Sequence, residues 1–190
     1  MDLFGVKIVN FKRRIETGLV SLRLCRLRDL RTLYSLLTPE IFPKAKESKR
    51  KPRSLFSFYR WMKSTFQVIY LVELEENGGR RIIGLVGLYD MELGRNLRLS
   101  LTVFKPGDRG RGYGEKALTL LLHLLQENGV AEVVYAEILK SNVPSLRLCT
   151  KLGFEVKGLS QDRLLLEKDQ PFDSPVRSPG MLRVDTERRS

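Results

Sequence analysis

Between residues 105 and 114 the chain reads Lys-Pro-Gly-Asp-Arg-Gly-Arg-Gly-Tyr-Gly. The chemistry such a run can do is anion binding. Gly110, Gly112 and Gly114 alternate just before an apolar helical segment, so the backbone there can approach a ligand closely. The unpaired N–H groups and the dipole of a helix start attract negative charge to the same place. Arg109 and Arg111 carry guanidinium forks that suit phosphate oxygens, and Tyr113 stands in the first helical turn. Two familiar phosphate loops fail on their letters. A dinucleotide fingerprint from Gly110 needs glycine where Glu115 stands, and a Walker A loop from Gly107 needs lysine where Tyr113 stands.

Other chemistry-bearing residues are few. The cysteines are Cys25 and Cys149, and His123 is the only histidine, so neither a disulfide framework nor a Cys/His metal cluster is expected. His123 lies inside the apolar run 120–125 and reads as a structural residue. For moving a proton, the candidates are Asp90 and Glu92 at the end of one predicted strand and Glu137 on another. Their plainer reading is as solvated surface carboxylates, the usual fate of such side chains.

These residues need elements to position them. Leu19 to Cys25 alternates as a strand, and Asp29 can cap a short helix ending before Pro39. Leu55, Phe58, Tyr59 and Met62 fall at helical spacing behind Ser54. Residues 67–74 and 82–89 read as strands joined through Asn77-Gly78-Gly79, a hairpin signal. Leu97, Leu99, Leu101 and Val103 alternate as the next strand of a meander. A helix over 115–128, a strand over 130–139, a helix over 141–152 and short strands at 154–156 and 163–167 complete the order. The class this predicts is mixed α+β, with one β-α-β crossover around the glycine-rich loop.

Arg109-x-x-Gly112-x-Gly114 resembles the pyrophosphate-binding signature of the GNAT N-acetyltransferases, written Q/R-x-x-G-x-G/A. Asn142, Ser145, Lys151, Leu152, Gly153 and Phe154 resemble that family's second motif, and the run 16–23 is similar to the opening strand of its RimJ/RimL-like branch. The likeness spans about residues 16–167. It implies a central mixed, mostly antiparallel twisted sheet flanked by helices, with acetyl-CoA as cosubstrate and no metal. Carried over, the backbone of Leu101, Thr102 and Val103 would hold the pantetheine arm and thioester carbonyl. The N–H groups of Arg109, Gly110, Arg111, Gly112, Tyr113 and Gly114 would hold the pyrophosphate, with Asn142 and Ser145 beside the amide arm. Where the family commonly has a thiolate-protonating tyrosine, seven residues after the Asn, this chain has Cys149, either a thiol able to donate that proton or, on the plainer reading, a small buried hydrophobe of its helix. Glu137 and Glu92 are the candidate bases. The reaction this implies is direct attack of a primary amine on the thioester.

Of 190 residues, 42% are apolar and 29% charged, a globular composition. The expected layout is one domain over 1–167 and a Pro-, Ser- and Gly-containing loose tail over 168–190. The formal net charge of +12 is concentrated at the start: residues 1–65 hold sixteen Lys and Arg against five Asp and Glu, whereas 66–167 hold thirteen of each. The run 44–53 could engage an anionic partner, or be a solvated loop. Phe56, Phe58, Tyr59 and Trp61 follow it as an aromatic wall or as plain core. No apolar run is long enough for a membrane span, and no signal peptide is recognised, so a cytoplasmic monomer or homodimer is expected. The acceptor expected first is a protein α-amine or lysine, and second an amino-sugar nucleotide or other small amine. A non-catalytic CoA-binding or basic nucleic-acid-associated module is the rival from outside enzymology.

Overall fold

The computed structural model describes residues 14–37 and 52–169. Its elements are β1 (Arg14–Thr17), β2 (Val20–Leu24), α1 (Leu30–Leu36), α2 (Leu55–Thr65), β3 (Val68–Glu76), β4 (Gly79–Glu92), β5 (Asn96–Val103), α3 (Tyr113–Glu127), β6 (Val133–Leu139), α4 (Val143–Lys151), β7 (Glu155–Leu159) and β8 (Arg163–Asp169). The strands form one sheet in the order β1-β2-β3-β4-β5-β6-β8-β7. Neighbours are antiparallel except β5 and β6, the parallel pair that α3 connects.

Local signals set most of this. Asn77 and Gly78 both adopt positive φ, 52° and 74°, as the tight turn between β3 and β4 requires. Ser54 caps α2, its side chain accepting from the Ser57 N–H at 3.1 Å. Strand β1 adds to the expected order. It is four residues long and pairs with β2 across Gly18 and Leu19, too short to announce itself by alternation.

Apolar side chains bury on both faces. Leu97 and Leu99 of β5 and Val134, Ala136 and Ile138 of β6 pack with α3 and α4. On the other face Ile69, Leu71, Leu85 and Phe104 pack under α1 and α2, with Leu33, Phe58, Met62 and Phe66. The last strand runs two residues past the expected boundary at 167, and Lys168 and Asp169 pair with Val134 and Val133. Residues 170–190 and the basic run 44–51 lie outside the described residues.

Candidate active site

The parallel pairing of β5 with β6 runs from Asn96↔Val133 to Leu99↔Ala136 and stops there, although the strands continue to Val103 and Leu139. Beyond that point they part, and the β6-facing backbone edge of residues 100–103 has no strand partner. A cleft of about 360 Å³ opens in the gap. Because strand side chains alternate between faces, the cleft has two halves. Leu99, Leu101, Leu118, Ala136, Leu148 and Cys149 line the half under α3 and α4. Leu37, Trp61, Met62, Phe66 and Leu85 line the half under α1 and α2.

Several residues singled out by spacing meet here. Leu101, Thr102, Glu137, Asn142, Ser145 and Cys149 all line this cleft. Asn142 caps α4, its Oδ1 accepting from the Ser145 N–H at 3.4 Å. Cys149 is buried, and that burial pushes its thiol up to about 11, so at neutral pH it carries its proton. Glu137 is held between Arg98 Nη1 at 3.3 Å and Arg163 Nε at 3.5 Å. Neither arginine was singled out in the sequence. Their registers, Arg98 beside Tyr135 and Arg163 opposite Leu139, become visible only once β6 is paired with β5 on one side and β8 on the other.

The glycine-rich loop sits at the end of β5. Gly112 is the N-cap of α3 at φ 78° and Gly110 stands at 72°, a region that a side chain with a Cβ enters only under strain. A Cβ at Gly114 would lie 3.0 Å from Leu101 Cδ2, so the helix starts close against the cleft strand. Tyr113 packs its ring on the core, leaving its backbone N–H as the group it can offer. The fork of Arg109 does not point outward as expected. Its Nε and Nη2 donate to the carbonyls of Val103 and Phe104 at 3.1 and 3.2 Å, which ties the loop to β5, while Arg111 is exposed. From the other side, Asp108 accepts a forked pair from Arg81 of β4 at 2.8 and 3.0 Å. Lys151, the last residue of α4, joins Glu115 in the first turn of α3 at 2.8 Å.

Other expected residues are elsewhere. Glu92 is exposed and pairs with Arg95 at 3.6 Å. It stands opposite Asn96 at the tight β4–β5 turn, the far end of β5 from the loop at 105–114, so antiparallel pairing carries it away from the cleft. Asp90 is exposed at a bulge, 3.5 Å from Arg98. His123 is exposed on α3. Of the four aromatics expected as a wall, Trp61 alone lines the cleft: Phe58 is buried in the core and Phe56 is exposed. Among the described residues no group of His, Cys, Asp and Glu could hold a metal, and no helix is long and apolar enough to cross a membrane.

A single sheet split at one parallel pair, with a glycine-capped helix rising from the split, is an acyltransferase architecture. The acetyltransferase (GNAT) domain family matches residues 20–155, and the chain belongs to that family; it is an acetyltransferase by that membership. A comparison with curated protein sequences found no match. Solved structures share the fold. A domain from Methanocaldococcus jannaschii DSM 2661 superposes with TM-score 0.69 at 22% identity, covering 79% of this chain and 97% of that one. The microcin C7 self-immunity acetyltransferase MccE, in complex with acetyl-CoA and AMP, gives 0.66 at 16%, over 80% and 93%. RimL, a ribosomal L7/L12 α-N-protein acetyltransferase in complex with coenzyme A, gives 0.69 at 12%, over 83% and 97%.

Proposed function

We propose that this chain moves the acetyl group of acetyl-CoA to a primary amine, with a protein N-terminus or lysine as acceptor. The observation that carries the reading is the coincidence of the parted β5–β6 pair with the Gly112-capped start of α3. An unpaired strand edge inside a cleft suits an amide-bearing arm, which can bond to it as a further strand would. The N–H groups at the start of α3 suit the pyrophosphate at the arm's other end.

When bound, acetyl-CoA supplies the activated acetyl thioester. The chain's own residues would do the rest. The backbone of residues 101–103 aligns the arm, and the residues from Gly110 to Gly114 hold its phosphates. Asn142 and Ser145 stand beside the amides. Glu137, which alternation with Ala136 and Ile138 turns toward the half of the cleft under α1 and α2, takes the proton of the incoming ammonium, directly or through water. Cys149 keeps a proton at neutral pH and can give it to the departing thiolate. Fixing donor and acceptor side by side supplies much of the acceleration.

The test uses labelled acetyl-CoA and a desalted lysate resupplied with its small molecules. Enzyme-dependent label in protein supports this reading, and label confined to small molecules moves the acceptor to a free amine. Label in neither fraction, with acetyl-CoA still bound, overturns it in favour of a CoA-binding module. Gly112→Trp forces a bulky residue to φ near +78°, a cost of about 1–3 kcal/mol for a residue held in a sparsely populated backbone region. It should cut acetyl-CoA affinity at least tenfold.

A further inference from the structure

The half of the cleft under α1 and α2 has a composition that bears on the acceptor. Among the described residues its wall is Leu37, Trp61, Met62, Phe66 and Leu85, apolar apart from the indole N–H. The ring of Phe66 is seated deliberately. Gly87 of β4 leaves the space for it, since a Cβ there would overlap the ring, and Trp61 and Tyr89 meet Phe66 edge-on, with centroids 5.9 and 6.2 Å away. The floor is the sheet itself, where Ser100 and Thr102 present hydroxyls. Among the described residues that line the cleft, Glu137 and Arg163 alone are charged. They stand side by side, Arg163 Nε 3.5 Å from Glu137 Oε1.

We infer that this half of the cleft selects an α-amino-acyl acceptor with a large apolar side chain, an inference that rests on the acetyl-transfer reading above. The chemistry is three-point. Glu137 meets the amine, and the Arg163 guanidinium donates to the carbonyl or carboxylate oxygen three bonds away. The chamber of Leu37, Trp61, Met62, Phe66 and Leu85 takes the side chain. An anionic nucleotide sugar is disfavoured, because its phosphates would lie against an apolar wall. The lysine side chain is disfavoured too, because it brings no carbonyl for Arg163. The same acceptor chemistry comes from two sources, a peptide N-terminus and a free amino acid.

The experiment measures kcat/KM for hexapeptides that differ only in the first residue, Leu, Met or Phe against Ser, Ala or Asp, alongside free leucine and isopentylamine. Calorimetry of the Leu and Ser peptides on the CoA-loaded protein runs in parallel. The apolar first residues should lead by at least tenfold in kcat/KM, the scale on which an apolar pocket discriminates, with the same order in calorimetry. Isopentylamine, which is leucine without its acyl group, should fall at least tenfold below the Leu peptide. Free leucine matching the peptide assigns the amino acid as source, and a peptide-only response assigns the chain terminus. Equal or better use of Ser and Ala peptides overturns the apolar assignment, and isopentylamine equal to the Leu peptide overturns the role of Arg163. If nothing is acetylated while acetyl-CoA binds, the transfer reading fails by itself, and calorimetry still decides whether the chamber prefers leucine. In Leu85→Trp, checked for folding by its melt, the chamber is smaller and the Leu-over-Ala preference should drop at least fivefold.

Discussion

Cys149 stands seven residues after Asn142, where the family resemblance implies a thiolate-protonating side chain, and its surroundings decide what it can do there. It is 3% exposed in the half of the cleft under α3 and α4, and burial pushes its thiol up to about 11. A thiol in that state is a poor nucleophile, because the thiolate is the reactive form, but it holds a proton to donate. If it serves as the acid, Cys149→Ala should lower kcat by about 10²-fold, the lower end of what a positioned acid contributes, with little change in the KM for acetyl-CoA. Cys149→Ser puts a far weaker acid in the same place and should recover little of the rate. Steady-state kinetics of the two variants check this, and an unchanged kcat in Cys149→Ala removes the role. Counting seven residues from Asn142 was enough to find this cysteine, because one helix fixes the relation between the two. No such local rule links Glu137 to Arg98 and Arg163, which belong to strands 39 and 26 residues away in sequence.

At the scale of elements, the glycine-rich loop works only if it is held still at the end of β5, and two arginines do that. Arg109 stitches it to the Val103 and Phe104 carbonyls, and Arg81 of β4 forks onto the buried Asp108 just before it. Arg81 is not among the described residues that line the cleft and acts through Asp108, so it is a positioning residue. Arg81→Met should raise the KM and the dissociation constant for acetyl-CoA about tenfold while kcat at saturation holds. Arg81→Lys should recover only part of this, because an ammonium cannot form the fork. Calorimetry with CoA and a KM-against-kcat comparison check it; a kcat that falls with an unchanged KM would point to a different role. This layer of the design marks the limit of reading the sequence. Alternation, caps and the Asn77-Gly78 turn made nearly every element legible, and the motif spacing made the loop legible. The letter Arg109 could not say that its side chain turns back on β5 instead of facing a phosphate. Leu37, Met62 and Phe66 show the same spacing whether they fill a core or wall a chamber, and the parting of β5 from β6 alone makes them the latter.

Across the whole molecule, the fold depends on buried carboxylates in a chain whose net charge is already +12 at neutral pH. Asp29 anchors the start of α1, the helix that leads to Leu37 in the cleft. Burial alone would raise its carboxyl, but the forked bond from Arg23, at 2.9 and 3.0 Å, and the Arg26 N–H, at 2.7 Å, prevail and hold it below the ordinary carboxylate range. Arg23 also donates to the buried Glu73 of β3 at 2.7 Å, so one guanidinium joins β2, β3 and the turn into α1. Asp108 is likewise held low, by the hydrogen bonds from Arg81. Both carboxyls release their protons more readily folded than unfolded, so the unfolded chain binds more protons as pH falls. Their contribution is complete above the unfolded value of about 3.9 and drains away as the pH drops through it towards the depressed folded values. Protonation elsewhere adds positive charge to a basic chain over the same interval, and self-repulsion acts in the same direction. Denaturant melts should therefore show stability nearly level from pH 7 to about 5 and falling steeply below about 4, the range in which these carboxyls take up protons. Asp29→Asn should cost about 2–3 kcal/mol at pH 7, the range for losing a charge-assisted bond to a buried partner. It should also flatten the acid limb, because the group whose ionisation the fold favours is gone. A variant with full stability at pH 7, or with an acid limb as steep as the parent's, would show that the Arg23 junction does not anchor the sheet to α1.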